Sequence, residues 1–285
     1  MIPPARIFGL TLLAMIAFAG NSLLCRAALK ATAIDAATFT SVRMASGAAA
    51  LWLIVRVRDA QGGVKGSWAS ALALFAYAAC FSFAYMSLSA GTGALLLFGA
   101  VQATMIGRGL LAGERMGAWQ VAGLVLALAG LVGLLLPGIT APPPLGAALM
   151  LTAGVAWGIY SLRGKGAGDP TQDTAGNFLR AVPLAALLSL AALPWAAFDA
   201  IGFAYAAVSG ALASGVGYAI WYTALRGLTA TSAATVQLSV PVLASIGGIM
   251  FLGEALTLRL GIASIAILGG IALVILTPQS GRRSP

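Results

Sequence analysis

The chain has 285 residues, 60% of them hydrophobic and only 8% charged, with a net charge of +9 and no histidine. A soluble domain carries about 25% charged residues, so this composition excludes one. A positive balance would suggest nucleic acid in a soluble chain, but here the basic residues stand in short links beside apolar runs, where they set orientation in a bilayer.

An apolar run of about 18 residues or more crosses the roughly 30 Å hydrocarbon core as a helix. Lipid satisfies no free backbone group, so a spanning chain is helical or a closed barrel, and these runs are too long for barrel strands. Ten spans are predicted in chain order: 6–29, 34–57, 68–89, 91–111, 117–136, 145–162, 174–198, 202–226, 229–252 and 257–277. The first runs on to Leu29 without a small-residue cleavage site, and so reads as a span rather than a signal peptide. Spans 3 and 4 are almost contiguous and must form a tight helical hairpin. Pro137-Gly138 and Pro142-Pro143-Pro144 separate spans 5 and 6, and Gly166, Gly168 and Pro170 precede span 7. Pro183 and Pro194 in span 7 and Pro241 in span 9 permit bending. Gly123, Gly130 and Gly133 on span 5, with Gly261, Gly269 and Gly270 on span 10, give small faces suited to close helix packing, so these two spans read as scaffold. Cys25 and Cys80 both lie inside apolar runs and point to packing, not to a disulfide framework.

With the N-terminus in the cytoplasm, eleven Lys and Arg residues fall on the cytoplasmic side and three, Arg26, Lys30 and Arg259, outside. That bias places both termini inside. The second half repeats the first with a shift of 140 residues: Ala71-Leu72-Ala73 recurs as Ala211-Leu212-Ala213, and Gly113-Glu114 as Gly253-Glu254, the only two glutamates in the chain. Spans 1 and 2 echo spans 6 and 7 with small gaps, which pairs Arg43 with Arg180. The expected fold is an all-α integral membrane protein of ten transmembrane helices in two five-helix repeats, 1–140 and 141–285. Five is odd, so the second repeat enters the membrane inverted, an architecture that serves secondary carriers with a midplane site.

Ten spans in two halves, Gly-Glu after spans 4 and 9, and an Arg early in spans 2 and 7 resemble the EamA type of the drug/metabolite transporter superfamily over essentially the whole chain. Within it, the segment from Phe39 to Arg43 and the aromatic span 3 are most similar to aromatic amino-acid exporters of the YddG type. The resemblance implies a carrier of the bacterial inner membrane that exports small metabolites, here aromatic and other large neutral amino acids. One departure stands out. Members often carry a proline in both span 4 and span 9, whereas this chain has Pro241 in span 9 but Val101, followed by Gln102, at the shifted position.

A midplane cavity needs a few polar groups in an apolar wall. For Asn21, Gln102 and Gln237, cavity wall and interhelical hydrogen bonding stand equally open. Ser22, Ser214, Ser239 and Ser245 read first as hydrogen bonds within or between helices, with Ser239 kept among the binding candidates. Tyr77, Phe81 and Tyr85 share one face of span 3 at four-residue spacing, and Tyr218, Trp221 and Tyr222 share one on span 8. Trp68 and Tyr85, near span ends, fit an interfacial aromatic belt. The deeper rings, with Phe18 and Trp157, read as cavity wall. The candidate substrate-binding residues are thus Phe18, Asn21, Tyr77, Phe81, Gln102, Trp157, Tyr218, Trp221, Gln237 and Ser239. Arg43 can offer a fork to a substrate carboxylate, but snorkelling or bonding to carbonyls at a neighbouring helix end is the preferred reading for both Arg43 and Arg180. Glu114 and Glu254 read as caps at the start of the helix that follows each, and as a latch if they meet a basic residue. Pro241 completes the conformational candidates.

All seven carboxylates fall at links or span ends. Proton-coupled carriers hold an ionisable group within the membrane, so transport is expected to follow the substrate gradient, with proton antiport as the alternative. The missing histidine removes Ser-His and Cys-His catalysis, and neither a metal set nor paired intramembrane aspartates are present, so an enzyme is not expected. No selectivity ring suggests a channel; a lipid-carrier flippase is compatible with the same fold. The expected partners are amino acids and membrane lipid, without nucleic acid, metal or cofactor, and a monomer is compatible with the sequence.

Overall fold

The computed structural model describes residues 4–58, 63–113, 116–138, 141–164, 169–228, 233 and 236–276. The helices are α1 (Pro4–Ala31), α2 (Ala36–Arg58), α3 (Trp68–Tyr85), α4 (Ala90–Leu111), α5 (Ala118–Leu135), α6 (Pro144–Arg163), α7 (Pro170–Ala191), α8 (Ala200–Leu225), α9 (Ser239–Leu252) and α10 (Leu258–Leu276). Among the described residues, nine of these are long and apolar enough to cross a membrane, and α9 is a shorter apolar helix.

The helix starts are written in short polar residues. Asp35 accepts from the Ala37 and Thr38 amides at 2.9 Å each, and Ser67, Ser89, Asp169 and Asp199 cap α3, α4, α7 and α8 in the same way. These caps correct the expected boundaries. Ser89 belongs to the start of α4, not the end of span 3. Asp169 with Pro170 at the first helical position starts α7 a turn early, and Pro194 sits in a 3₁₀ turn beyond the helix end, so it terminates span 7 rather than bending it. Pro183 does lie inside α7. Span 9 is broken: a turn at Leu238 precedes α9, and Pro241 falls in that helix's first turn, where no amide partner is needed. Gly113 and Gly253 take positive φ of 91° and 62° directly after α4 and α9, which explains glycine in both Gly-Glu pairs.

Two close pairs frame the bundle. α5 packs along α10, and α2 along α7. At the first, a Cβ on Gly270 would stand 2.5 Å from the Gly123 carbonyl, and one on Gly130 2.7 Å from Ala266 Cβ; Gly133, Gly261 and Gly269 meet nothing, so only part of the expected glycine face is used. α6 bridges α3 and α4, and at Gly154 a Cβ would lie 2.5 Å from both the Leu97 carbonyl and Ala100 Cβ. The outer surface is apolar: Trp119, Phe251 and Leu258 are 70%, 75% and 80% exposed, as a lipid-facing surface requires. α1 touches α3, α4, α8 and α9 with one face and leaves Phe8, Leu12, Leu13 and Ile16 exposed on the other.

Candidate functional site

α1 supplies Phe18 and Asn21, one turn apart. α3 supplies Tyr77 and Phe81 at four-residue spacing, and the close α6–α4 approach at Gly154 brings Trp157 against Leu97 and Phe98. Tyr218 of α8 closes the ring. Trp157 lies 4.9 Å, centroid to centroid, from both Tyr77 and Tyr218, and Phe18 meets Tyr218 and Trp221 edge-on at 5.8 Å each. Phe18, Tyr77, Phe81, Trp157 and Tyr218, with Asn21, Ser22, Leu97 and Phe98, line a cavity of about 20 Å³, room for about one water, while Trp221 packs on Phe18 outside that lining.

A polar chain backs this aromatic box. Ser209 Oγ donates to Asn21 Oδ1 at 2.7 Å, and Asn21 Nδ2 donates to the Tyr77 hydroxyl at 3.3 Å. Arg43 Nη2 donates to the same hydroxyl at 3.0 Å, and Arg43 Nε donates to Ser214 Oγ at 3.2 Å. Ser209 and Ser214 stand at either end of a π-helical stretch, Ser209–Val216, which widens α8 opposite α2. Gly210 lets the two helices meet: a Cβ there would run into Ser46 and the Arg43 carbonyl. Arg43 is wholly buried, with its guanidinium carbon 5.1 and 5.0 Å from the Tyr77 and Phe81 ring centres. Among the described residues it has no carboxylate partner, and neither its Nη1 nor the Tyr218 hydroxyl has a hydrogen bond. Arg43 therefore neither snorkels nor bonds a helix-end carbonyl through its guanidinium, contrary to expectation, because α2 buries it against α3 and α8 at cavity depth.

The two ends of the bundle differ. At the end bearing Arg58 and Arg163, a vestibule of about 330 Å³ opens between Gly66, Ser70, Arg163, Asp173, Asn177 and Tyr222. Tyr160 forms part of its wall and stacks on Trp157 of the box at 5.5 Å, while Asn177 Nδ2 donates to the Tyr160 hydroxyl at 3.4 Å. The other end is tied shut. Arg26 Nε meets Glu254 Oε1 at 3.1 Å, Arg26 Nη1 donates to the Tyr85 and Met86 carbonyls, and the Ala90 amide donates to Glu254 Oε2 at 2.8 Å. Lys30 donates to the Leu252 carbonyl. A recess of about 200 Å³ lies at that end, lined by Ser87, Thr92, Pro143 and Thr257 among others; neither it nor the vestibule shares a lining residue with the box.

Several candidates stand elsewhere than expected. Tyr85 is wholly buried, 4.7 Å from the Phe81 ring, with its hydroxyl donating to the Ala90 carbonyl, so it is not an interfacial residue; Trp68 is 61% exposed. Glu254 caps α4 across the bundle, not the helix that follows it, while Thr257 caps α10. Glu114 lies outside the described residues. Arg180 bonds the Lys65 and Gly176 carbonyls, the structural role expected of it. Gln237 donates to the Ala233 carbonyl and Ser239 to that of Val236, each on its own segment, and Gln102 is buried in α4 away from the box lining. Sequence reasoning passed over Ser209, Asn177 and Arg26. For Arg26 the signal existed, since Arg26 and Glu254 fall on the same expected side.

The EamA-like transporter family matches residues 144–276. An uncharacterized protein of Pseudomonas aeruginosa is 58% identical over 99% of this chain and 98% of its own length. The threonine/homoserine exporters RhtA of Salmonella typhimurium and Escherichia coli K12 are 34% and 35% identical over 49% and 45% of the chain, matches that span about half of each exporter (47% and 46%). One crystal structure superposes with a TM-score of 0.67 over 94% of this chain and 98% of its own at 22% identity, a likeness of fold. The chain is a multi-pass membrane protein and belongs to the EamA-like transporter family of the drug/metabolite transporter superfamily.

Proposed function

We propose that the chain is a secondary carrier that exports amino acids, aromatic and other large neutral ones, from the cytoplasm by alternating access. The observation that carries this reading is the difference between the two ends: a vestibule separated from the aromatic box by the Tyr160–Trp157 contact at one end, and a side-chain latch across the other. The vestibule end carries Arg58 and Arg163, the cytoplasmic side on the count of basic residues, with both termini there and the chain in the bacterial inner membrane. Flat rings facing a few polar groups suit a large apolar side chain on a polar backbone. At about 20 Å³ the box is narrower than any amino acid, so loading widens it at the Tyr160–Trp157 contact. The RhtA relatives, exporters of threonine and homoserine, support an amino-acid cargo. Pairing of α2 with α7 and of α5 with α10 supports two inverted five-helix halves, 1–140 and 141–285. Among the described residues the carboxylates sit at helix ends and links, which supports transport down the substrate gradient without a proton relay.

Counterflow in proteoliposomes tests this. With unlabelled amino acids inside, a labelled large neutral amino acid should enter transiently, saturably, and selectively among the internal species. An imposed pH gradient should not concentrate it; if it does, the carrier is a proton antiporter. Absence of counterflow with every amino acid, in folded protein, would move the cargo to other metabolites, drugs or lipid-linked carriers.

A further inference from the structure

Behind the box lies a cation that, among the described residues, meets no carboxylate. Arg43 is wholly buried, and its three bonding groups are used unevenly: Nη2 bonds Tyr77, Nε bonds Ser214, and Nη1 bonds nothing. Its partners are hydroxyls and two ring faces, which leave its charge uncompensated. A second vacancy adjoins it. Tyr218 is 3% exposed, lines the box, and holds its hydroxyl without a partner. Buried polar atoms are almost always paired, and a lone buried guanidinium is among the least tolerable exceptions. One open donor, Tyr218, lines the cavity, and the other, charged, lies directly behind it against the Tyr77 and Phe81 rings of its wall; together they match what a carboxylate supplies, two acceptor oxygens and one negative charge. The rest of the chain supports this assignment by contrast. The other buried arginine contact, Arg26, has Glu254, and Arg180 has carbonyls.

Resting on the proposed amino-acid cargo, we infer that Arg43 and Tyr218 form the subsite for the substrate carboxylate, with Arg43 Nη1 and the Tyr218 hydroxyl donating to its two oxygens. Tyr77 and Ser214 hold the guanidinium in place from behind. The carboxylate, more than the amine, then decides what is carried, and the aromatic walls take the side chain.

The test uses purified full-length protein in proteoliposomes, following labelled phenylalanine counterflow against three competitors: phenylalanine, 3-phenylpropionate, which keeps the carboxylate and lacks the amine, and phenylalaninamide, which lacks the carboxylate. The first two should compete, and the amide about tenfold or more weakly. Arg43→Gln should raise KM for phenylalanine by about tenfold and bring acid and amide to near equality, with Arg43→Lys recovering part of the difference. Tyr218→Phe is the second variant. It deletes a hydroxyl that bonds nothing, so the melting temperature should not fall, yet KM for phenylalanine should rise a few-fold while inhibition by the amide stays unchanged. A residue with a structural role only would show the reverse pattern. Equal competition by amide and acid in the wild type, or wild-type discrimination in both variants, overturns the inference while leaving amino-acid transport standing; if Arg43→Gln does not fold, Tyr218→Phe decides alone. If the wild type shows no counterflow with any amino acid, the proposed cargo fails, and the subsite is then read by melting. A rise with 3-phenylpropionate that Tyr218→Phe abolishes sustains it, and no rise overturns both.

Discussion

The latch offers the sharpest test of the difference between the two ends. Glu254 is the joint: Oε1 accepts from Arg26 Nε at 3.1 Å and Oε2 from the Ala90 amide at 2.8 Å, and the two side chains are only 14% and 9% exposed. Hydrogen bonds to a charged group contribute about 1.5–3 kcal/mol each. Glu254→Ala removes both, but Arg26 keeps the Tyr85 and Met86 carbonyls, and water can reach the freed Ala90 amide once the end opens. The net loss to the latched state should be about 2–3 kcal/mol, which multiplies the open population by about 30–150-fold. Cys25 reports it without any added label. It is wholly buried one residue before Arg26, and with Cys80→Ala in place it is the sole thiol. A membrane-impermeant thiol reagent added from the latch side should modify Cys25 faster by that factor in Glu254→Ala. In Glu254→Gln, which keeps an acceptor for Ala90 but loses the charge, the gain should be about fivefold. Wild-type labelling in Glu254→Ala, in protein whose melting shows it folded, would refute the latch; so would a rate gain seen only from the vestibule side.

Other expectations follow from single contacts. Gly270→Val should lower stability by about 2 kcal/mol or more, because its Cβ would stand 2.5 Å from the Gly123 carbonyl and 2.6 Å from the Ala127 amide, whereas Gly133→Ala, with nothing near, should leave the melting temperature unchanged. Equal losses in the two variants would contradict the α5–α10 packing. Asp35, outside the helices, is raised by burial, but hydrogen bonds from Thr38, Ala197 and Ala37 outweigh this and hold it below its ordinary value of 3.8. Its contribution is therefore complete above that ordinary value and disappears as pH falls through the lower folded one. Asp35→Ala should melt below wild type at neutral pH, with the gap closing under acid; a gap constant down to pH about 3 would show that the carboxylate charge does not matter. Asn177→Leu removes the amide that holds the Tyr160 hydroxyl at the vestibule floor, and should alter the counterflow rate more than the melting temperature.

Sequence reasoning reached the helices and the box because both rest on local quantities. Span length and hydropathy fix the helices, and four-residue spacing put Tyr77 and Phe81 on one face. It went wrong where the deciding contact is distant in the chain. Tyr85 looked interfacial from its place at a span end, but the α3–α4 hairpin folds Ala90 over its hydroxyl, and Gly93 leaves room for its ring. For Gln237 the sequence left cavity wall and hydrogen bonding open, and for Ser239 it favoured hydrogen bonding; both bond carbonyls of their own segment, Ala233 and Val236. The π stretch of α8 was invisible because its deciding contacts are distant too: Ser-Gly-Ala-Leu-Ala-Ser-Gly-Val reads as ordinary helix, and its widening is tied to Arg43 and Ser46 on α2.

The internal repeat sharpened some of these readings and misdirected one. Pairing Arg43 with Arg180 suggested one role for two residues, and depth along a span seemed to settle it, since an arginine near a helix end usually reaches water or carbonyls. Arg180 does so, because its neighbours are the carbonyls of Lys65 and Gly176. Arg43 does not, because the residues around it have diverged. The same shift of 140 that aligns the Gly-Glu pairs sets Gly217 opposite Tyr77 and Leu225 opposite Tyr85, while Trp221 stands opposite Phe81. The first half thus keeps the hydroxyl and ring that receive a buried guanidinium, and the second half does not. A duplicated scaffold can hold its helix pairs, α2 on α7 and α5 on α10, by small residues and close packing on both sides. A substrate with one carboxylate and one side chain has no such symmetry. The polar chain from Ser209 through Asn21 and Tyr77 to Arg43 and Ser214 lies where the two halves differ, and it is there that the proposed site for an asymmetric cargo is placed.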